Sequence, residues 1–320
     1  MKKSDLRIIY MGTPEFAVEP LKLLIANNYN IVAVVTAVDK PAGRGQKVSY
    51  SAVKTCAMEY SIPVLQPESL KAQSFLEELA SYHTDLQIVV AFRMLPKQVW
   101  SMPAKGTFNL HASLLPQYRG AAPINWAIIN GDKETGVTTF FIEEEIDTGN
   151  IIFQEKTTIE PSDNIGTLYE KLMHQGAKLV LKTVDAIIEN TINPIPQSNI
   201  AAEELKPAPK ITKETCKINW YNNAEEIHNL VRGFSPYPAA WTELKHSEEL
   251  IPFKIFSTSF EVIKHELVPG TISTDSKHYL KIACDNGFVS ILDLQPATKK
   301  RMQIGAFLNG HTFNEEDCFV

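Results

Sequence analysis

The sequence has no apolar run long enough to cross a bilayer. Its opening run, Ile8-Ile9-Tyr10-Met11, is too short for the core of a signal peptide. These absences argue against a membrane protein, and a soluble, cytoplasmic chain is expected. Cysteine is scarce: Cys56, Cys216, Cys284 and Cys318 stand far apart with no C-x-x-C pair. That spacing excludes a zinc ribbon or a disulfide framework and fits reduced thiols. Positive charge is not in excess, since 31 Lys and Arg face 37 Asp and Glu for a net charge of −6. Broad, non-specific nucleic-acid binding needs a basic field, so only a local basic patch remains open. The dinucleotide fingerprint G-x-G-x-x-G is missing, because Gly12 stands alone after the first apolar run, and an NAD or FAD site loses most of its support. Internal repeats are absent.

What is present is a chain of 320 residues with 44% hydrophobic residues, enough for one large or two ordinary domains. Leu6 to Met11 reads as a first strand. The following helix starts either at Thr13-Pro14, with threonine as cap, or at Pro20. Asn30 to Val38 is β-branched almost throughout, as suits a strand buried on both faces of a parallel sheet. Helical spacing recurs over 51–61, 69–82 and most clearly 164–190. Leu86 to Phe92 is another apolar strand. Prolines 194, 196, 207 and 209 mark a linker. Beyond it, a helix over 224–234 precedes short strand-like runs, a pattern that predicts a small β-barrel or sandwich.

Two stretches carry chemistry. Thr107 to Leu115 reads as a strand that Pro116 ends, with Asn109 and His111 on one face because side chains two apart point the same way. Arg119-Gly120-Ala121-Ala122 follows, a loop of small residues around one cation. A second strand, 137–142, runs into the acidic turn Glu143-Glu144-Glu145-Ile146-Asp147-Thr148-Gly149. Earlier, Asp39-Lys40-Pro41-Ala42-Gly43-Arg44-Gly45-Gln46-Lys47 reads as a mobile basic loop, and taken alone as a solvated surface loop. Lys299-Lys300-Arg301 is the dense basic cluster of the C-terminal half.

The block Asn109-x-His111, Ser113-Leu114-Leu115-Pro116, Arg119-Gly120-Ala121-Ala122-Pro123-Ile124 and Asp147-Thr148-Gly149 resembles the folate-dependent formyltransferase family. Pro41-Ala42-Gly43-Arg44-Gly45 resembles an insertion found in the branch of that family that acts on methionyl-tRNA. The resemblance extends through Asn219-Trp220 and Phe234-Ser235-Pro236-Tyr237-Pro238, so it covers nearly the whole chain. It implies an α/β fold: a Rossmann-like, mostly parallel sheet over residues 1–190, a linker over 191–217, and a smaller OB-like β-barrel over 218–320. It implies Asn109, His111 and Asp147 as the catalytic trio, and 10-formyltetrahydrofolate as formyl donor beside Ser113, Leu114, Leu115, Pro116, Phe92 and Leu95. Initiator methionyl-tRNA would meet Lys40, Arg44, Lys47, Lys210, Lys299, Lys300 and Arg301, with Lys213 a further contact. No metal is required, and a monomer is expected. One departure stands out. Phe92-Arg93-Met94-Leu95-Pro96 replaces the family's Tyr-Gly-x-x-Leu-Pro, one residue shorter and without the glycine.

In the expected chemistry, Asn109 and a protonated His111 donate to the oxygen that becomes charged, and Asp147 orients the imidazole. Two other readings stay open. One is the same chemistry on a sugar-nucleotide amine, or hydrolysis of the formyl donor. The other is a non-catalytic nucleotide-binding protein.

Overall fold

The computed structural model describes residues 2–42, 47–197 and 204–320. In chain order the elements are β1 (Arg7–Gly12), α1 (Val18–Ala26), β2 (Asn30–Val35), β3 (Lys40–Ala42), β4 (Lys47–Ser49), α2 (Ala52–Glu59), β5 (Val64–Leu65), α3 (Gln73–Ser81), β6 (Leu86–Val90), α4 (Lys97–Trp100), β7 (Thr107–His111), α5 (Pro123–Ile129), β8 (Glu134–Phe141), β9 (Ile151–Thr158) and α6 (Ile165–Glu189). Then come α7 (Ala224–Phe234), β10 (Ala240–His246), β11 (Glu249–Val262), β12 (Ile272–Thr274), β13 (Leu280–Cys284), β14 (Gly287–Pro296), β15 (Met302–Gln303), α8 (Ile304–Leu308) and β16 (Cys318–Phe319). The chain divides into two compact units. One is 1–120, 135–158 and 169–207; the other is 121–134, 159–168 and 208–320.

The first unit is built on a sheet in the order β5-β2-β1-β6-β7-β8-β9, with its first five strands parallel and β8 antiparallel to β7. The order reverses beside β1, the kind of place where α/β sheets bind ligands at the carboxyl ends of their strands. Both faces of β1 are covered. Ile9 and Met11 join a core with Val35, Phe75, Leu79 and Val89, while Ile8 and Tyr10 on the other face are also fully buried. Gly12 at the end of β1 is a packing requirement. A Cβ there would lie 2.6 Å from the Ala17 Cβ and 3.0 Å from the Val90 carbonyl.

Several expected boundaries move. β2 stops at Val35, and β7 stops at His111 instead of running to Leu115. The backbone beyond His111 turns because a side chain stands in for a strand partner. The Thr138 hydroxyl donates to the Ser113 carbonyl at 2.7 Å and accepts from the Leu115 N–H at 3.2 Å. Neither expected start of α1 is the observed one: a short 3-10 turn occupies Glu15–Ala17, and Pro20 lies in the first turn of α1. The basic loop is flanked by an antiparallel ladder of β3 and β4, pairing Lys40 with Ser49 and Ala42 with Lys47.

The second unit holds the antiparallel sheet β12-β13-β14-β11-β10-β16. A bridge between Thr271 and Cys318 joins its two ends, closing it as an OB-like barrel. Its core is Trp220, Ile227, Phe234, Phe253, Ile255, Leu280, Ile291 and Phe319, with α7 contributing Ile227, Val231 and Phe234. Asn223 caps α7 by accepting from the Glu226 N–H at 2.9 Å.

On α7, His228 sets its Nδ1 2.9 Å from the Thr258 hydroxyl, with its ring 5.2 Å from that of Phe260. Burial, reinforced by the Arg232 cation, lowers its pKa from 6.5 to about 4. The unfolded chain therefore takes up a proton at His228 as pH falls below 6.5, while the folded chain does so only near 4. Stability contributed by the neutral ring is complete above 6.5 and is lost as pH falls through that window. Urea unfolding followed from pH 7 to pH 4 should show a shallower loss of stability in His228→Gln than in the wild type. Parallel curves would refute the assignment.

Candidate active site

β7 presents Asn109 and His111 on one face at the carboxyl end of the strand, next to β6 and paired with β8 at Phe140 and Thr138. His111 is buried, and its ring stands edge-on to Phe140 at 6.5 Å. Asn109 is half-buried, and its amide forms no side-chain hydrogen bond among the described residues.

The orientation of the imidazole is fixed by backbone. His111 Nε2 lies 2.8 Å from the Tyr118 carbonyl oxygen. A carbonyl only accepts, so Nε2 carries the proton and the neutral ring leaves its lone pair on Nδ1. Tyr118 reaches this position in the left-handed region, at φ 61°, while its own N–H donates to the Lys206 carbonyl at 2.7 Å.

Asp147 approaches from the other segment. It too is left-handed, at φ 56°. Its Oδ2 accepts the Gly120 N–H at 2.9 Å and stands 3.9 Å from His111 Nδ1. That gap is too long for a direct hydrogen bond, yet short enough for a small movement to close or for one solvent molecule to bridge. The expectation that Asp147 orients the ring is therefore revised: the Tyr118 carbonyl orients it, and Asp147 faces its free nitrogen. The turn needs Gly149, because a Cβ there would meet the Phe141 carbonyl oxygen at 1.7 Å.

Asn109, His111 and Asp147 are thus brought to one end of the sheet. Nδ1 can accept a proton, and the resulting imidazolium would sit beside a carboxylate that favours it. Of the residues expected to line a folate pocket, Leu114, Pro116 and Phe92 are half-buried, while Leu95 and Leu115 are buried and have little surface to offer. The Ser113 hydroxyl is fully buried and donates to the Gln117 carbonyl at 2.7 Å. The segment after β6 is held by its own backbone and one arginine. Ala91 takes the left-handed turn at φ 47°, and Arg93 donates to the Glu68 carbonyl at 3.0 Å and also to that of Pro67.

The basic residues do not form one set. Arg44 lies outside the described residues, while Lys40 stands on β3 and Lys47 on β4, at the two sides of the loop's base. Lys210, Lys299 and Lys300 are exposed and form no ion pair among the described residues. Arg301 is committed within its own unit: its Nε donates to buried Asp293 at 2.7 Å, and its guanidinium covers the Phe256 ring at 4.3 Å. Lys213 lies 4.9 Å from the Trp241 ring centroid. Sequence reasoning missed Tyr118, Gly120 and Gln197 as parts of the site. Gly120 carried a signal in its small-residue loop; Tyr118 and Gln197 carried none that a single sequence shows.

Residues 6–184 match the formyl transferase family, and residues 210–312 match the formyl transferase C-terminal domain. The chain belongs to the formyl transferase family. It is 55% identical over 317 residues to the methionyl-tRNA formyltransferase of Bacteroides thetaiotaomicron, covering 98% of each chain. It is 53% identical over 312 residues to that of Flavobacterium johnsoniae, covering 97% of this chain and 98% of the relative. Among solved structures, the fold is similar to WlaRD, a sugar 3N-formyl transferase crystallised with dTDP and 5-N-formyl-THF. The TM-score is 0.66 at 24% identity, over 92% of this chain and 99% of that one. It is also similar to HypX from Aquifex aeolicus in complex with tetrahydrofolic acid, with TM-score 0.62 at 18% identity, over 97% of this chain and 48% of that one. At these identities the two structures speak to fold alone.

Gly149→Ala tests the geometry of this formyltransferase site. The added methyl must push the Asp147 turn off β8, and a displacement of about 1 Å at a reacting centre costs on the order of 100-fold in turnover. Far-UV circular dichroism should be unchanged while kcat for formyl transfer falls by that order. Retained turnover would show that the turn's position does not matter.

Proposed function

We propose that this chain transfers the formyl group of 10-formyltetrahydrofolate to the α-amino group of methionine esterified to initiator tRNA, giving N-formylmethionyl-tRNA for translation initiation. The observation that carries the acceptor is the 55% identity, over 98% of both chains, to a methionyl-tRNA formyltransferase. The donor rests on family membership and on the half-buried side chains of Phe92, Leu114 and Pro116. In this reading the enzyme works as a cytoplasmic monomer. Residues 1–190 carry the chemistry, 191–217 link, and 218–320 contact tRNA.

The site residues divide the work as follows. Asn109 directs its amide N–H at the formyl oxygen, whose charge grows as the amine attacks. One such fixed donor is worth about 3 kcal/mol of barrier. His111 Nδ1 takes the proton that the amine nitrogen sheds, while Nε2 stays on the Tyr118 carbonyl. The proton then passes to the departing folate nitrogen, and Asp147 offsets the positive ring in between. The carbon–nitrogen bond to the acceptor forms as the bond to the carrier breaks, and no net proton is lost.

The decisive assay combines purified protein, 10-formyltetrahydrofolate and methionyl initiator tRNA, with elongator methionyl-tRNA as control and N-formylmethionine as readout. Formylation of the initiator species should dominate. Equal activity on a sugar-nucleotide amine, or none on the tRNA, would reject the proposal. His111→Ala and Asp147→Asn should each lower kcat by on the order of 1,000-fold, the range set by losing an acid–base group or a transition-state donor. Unaltered turnover in either would remove that residue from its role. Replacing Lys210, Lys299 and Lys300 together with Ala should raise KM for tRNA, leave kcat near wild type, and flatten the salt dependence of KM by about 0.7–0.9 for each phosphate no longer neutralised. An unchanged salt slope would place the tRNA elsewhere.

A further inference from the structure

The Asp147 turn has little of its own to hold it in place. Ile146 is exposed, and a hydrogen bond inside the turn runs from the Thr148 hydroxyl to the Glu145 carbonyl at 3.1 Å. Yet Asp147 must keep both a left-handed backbone and a set distance from His111 Nδ1. Holding it falls to a residue far along the chain. Gln197 Nε2 donates to the Asp147 carbonyl at 2.7 Å and to the Gly149 carbonyl at 3.0 Å. Its Oε1 accepts from Arg119, from Nε at 3.1 Å and from Nη2 as well. Arg119 is the residue before Gly120, whose N–H holds the Asp147 carboxylate. The amide therefore closes a ring of contacts: Asp147 carboxylate, Gly120, Arg119, Gln197, Asp147 carbonyl.

Gln197 is itself pinned. Two residues earlier, Ile195 pairs with Ile151 at the start of β9, through N–H to carbonyl bonds of 2.8 and 2.9 Å. The same linker supplies the Lys206 carbonyl that anchors the Tyr118 N–H, and Lys206 N–H donates to the Gln117 side chain at 2.8 Å. Both left-handed residues that face His111 are thus tied to the segment after α6.

We infer that Gln197 is a positioning residue for formyl transfer, joining the Arg119-Gly120 loop to the Asp147-Gly149 turn so that the Asp147 carboxylate is held opposite His111 Nδ1. The chemistry requires an amide. Two carbonyls on one side need donors and a guanidinium on the other needs an acceptor, and a neutral primary amide supplies both. A glutamate would satisfy Arg119 but turn an oxygen toward two carbonyl oxygens. The inference rests on the proposed roles of His111 and Asp147, so its test includes a readout independent of turnover.

Gln197→Met keeps length and neutrality but removes both ends of the bridge. Its kcat should fall about 10- to 100-fold with KM for tRNA nearly unchanged, the scale of a misplaced catalytic group. Gln197→Glu should behave like Gln197→Met if donation to the turn matters. Activity equal to wild type would mean that the Arg119 contact alone suffices, and would overturn the inference. In an Asp147→Asn background, Gln197→Met should add little further loss, since the two changes remove one device; additive losses would mark a merely structural role. Independently of any substrate, the His111 ring nitrogens can be followed by long-range proton–nitrogen NMR. Their chemical shifts should change in Gln197→Met, because the Asp147 carboxylate opposite Nδ1 is displaced. Unmoved shifts, with wild-type melting temperature and spectrum, would overturn the inference even if the wild type formylates some other amine. A wild type inert toward methionyl-tRNA whose His111 signals still move in Gln197→Met would leave the positioning role standing and reject the proposed acceptor.

Discussion

The contact between His111 Nε2 and the Tyr118 carbonyl decides what the site can do. The two ring nitrogens of a histidine are distinct, and the hydrogen bond made by one sets the state of the other. Once one is engaged by a backbone acceptor, the other alone remains for proton transfer, and its direction is set by the strand. β7 supplies that direction because Asn109 and His111 share a face at its carboxyl end. The carbonyl reaches the ring because the chain leaves the sheet at Ala112 and returns through a left-handed tyrosine. The Thr138 hydroxyl, fully buried on β8, satisfies the backbone groups which that departure would otherwise strand. Gln154 from β9 adds a donor to the Leu115 carbonyl at 2.8 Å. The neighbouring strands of the sheet thus stabilise a loop that is not itself regular structure.

The same dependence on neighbours explains the acidic turn. Its three successive glutamates are exposed, so its geometry is imposed from outside: by the Phe141 carbonyl pressed against Gly149, by the Gly120 N–H, and by an amide from residue 197. Non-glycine residues at positive φ cost of order 1–3 kcal/mol when nothing compensates. Tyr118 and Asp147 both bear that cost, and both are tied by hydrogen bonds to fixed backbone. Strain held this way is compensated at the expense of conformational freedom.

Much of the arrangement could be read from residues alone. Apolar runs marked β1, β2 and β6, and alternation placed Asn109 and His111 together, because these signals are local and periodic. The Gly12 turn without its companion glycines also pointed away from dinucleotides. What could not be read was non-local or stereochemical. The end of β7 depends on a threonine hydroxyl on another strand. Which nitrogen of His111 is free depends on the backbone conformation seven residues on. The barrel closes through a bridge of Thr271 with Cys318, and β16 is too short to show periodicity. Gln197 sits in a stretch whose prolines read as a passive connection, and only the bonds it makes reveal otherwise.

Charge illustrates the same limit. Lys299, Lys300 and Arg301 are one run in the sequence, but they have different tasks in the fold. Asp293 is buried on β14, and a buried carboxylate without a partner is strongly unfavourable. Arg301, brought opposite by the pairing of β15 with β14, meets that need and lies over Phe256, so its guanidinium is engaged before any ligand arrives. Lys299 and Lys300 remain exposed. Arg93 is a parallel case. It is anchored to the carbonyls of Pro67 and Glu68 while Ala91 takes the left-handed conformation. A cation thereby fixes the backbone of the segment after β6.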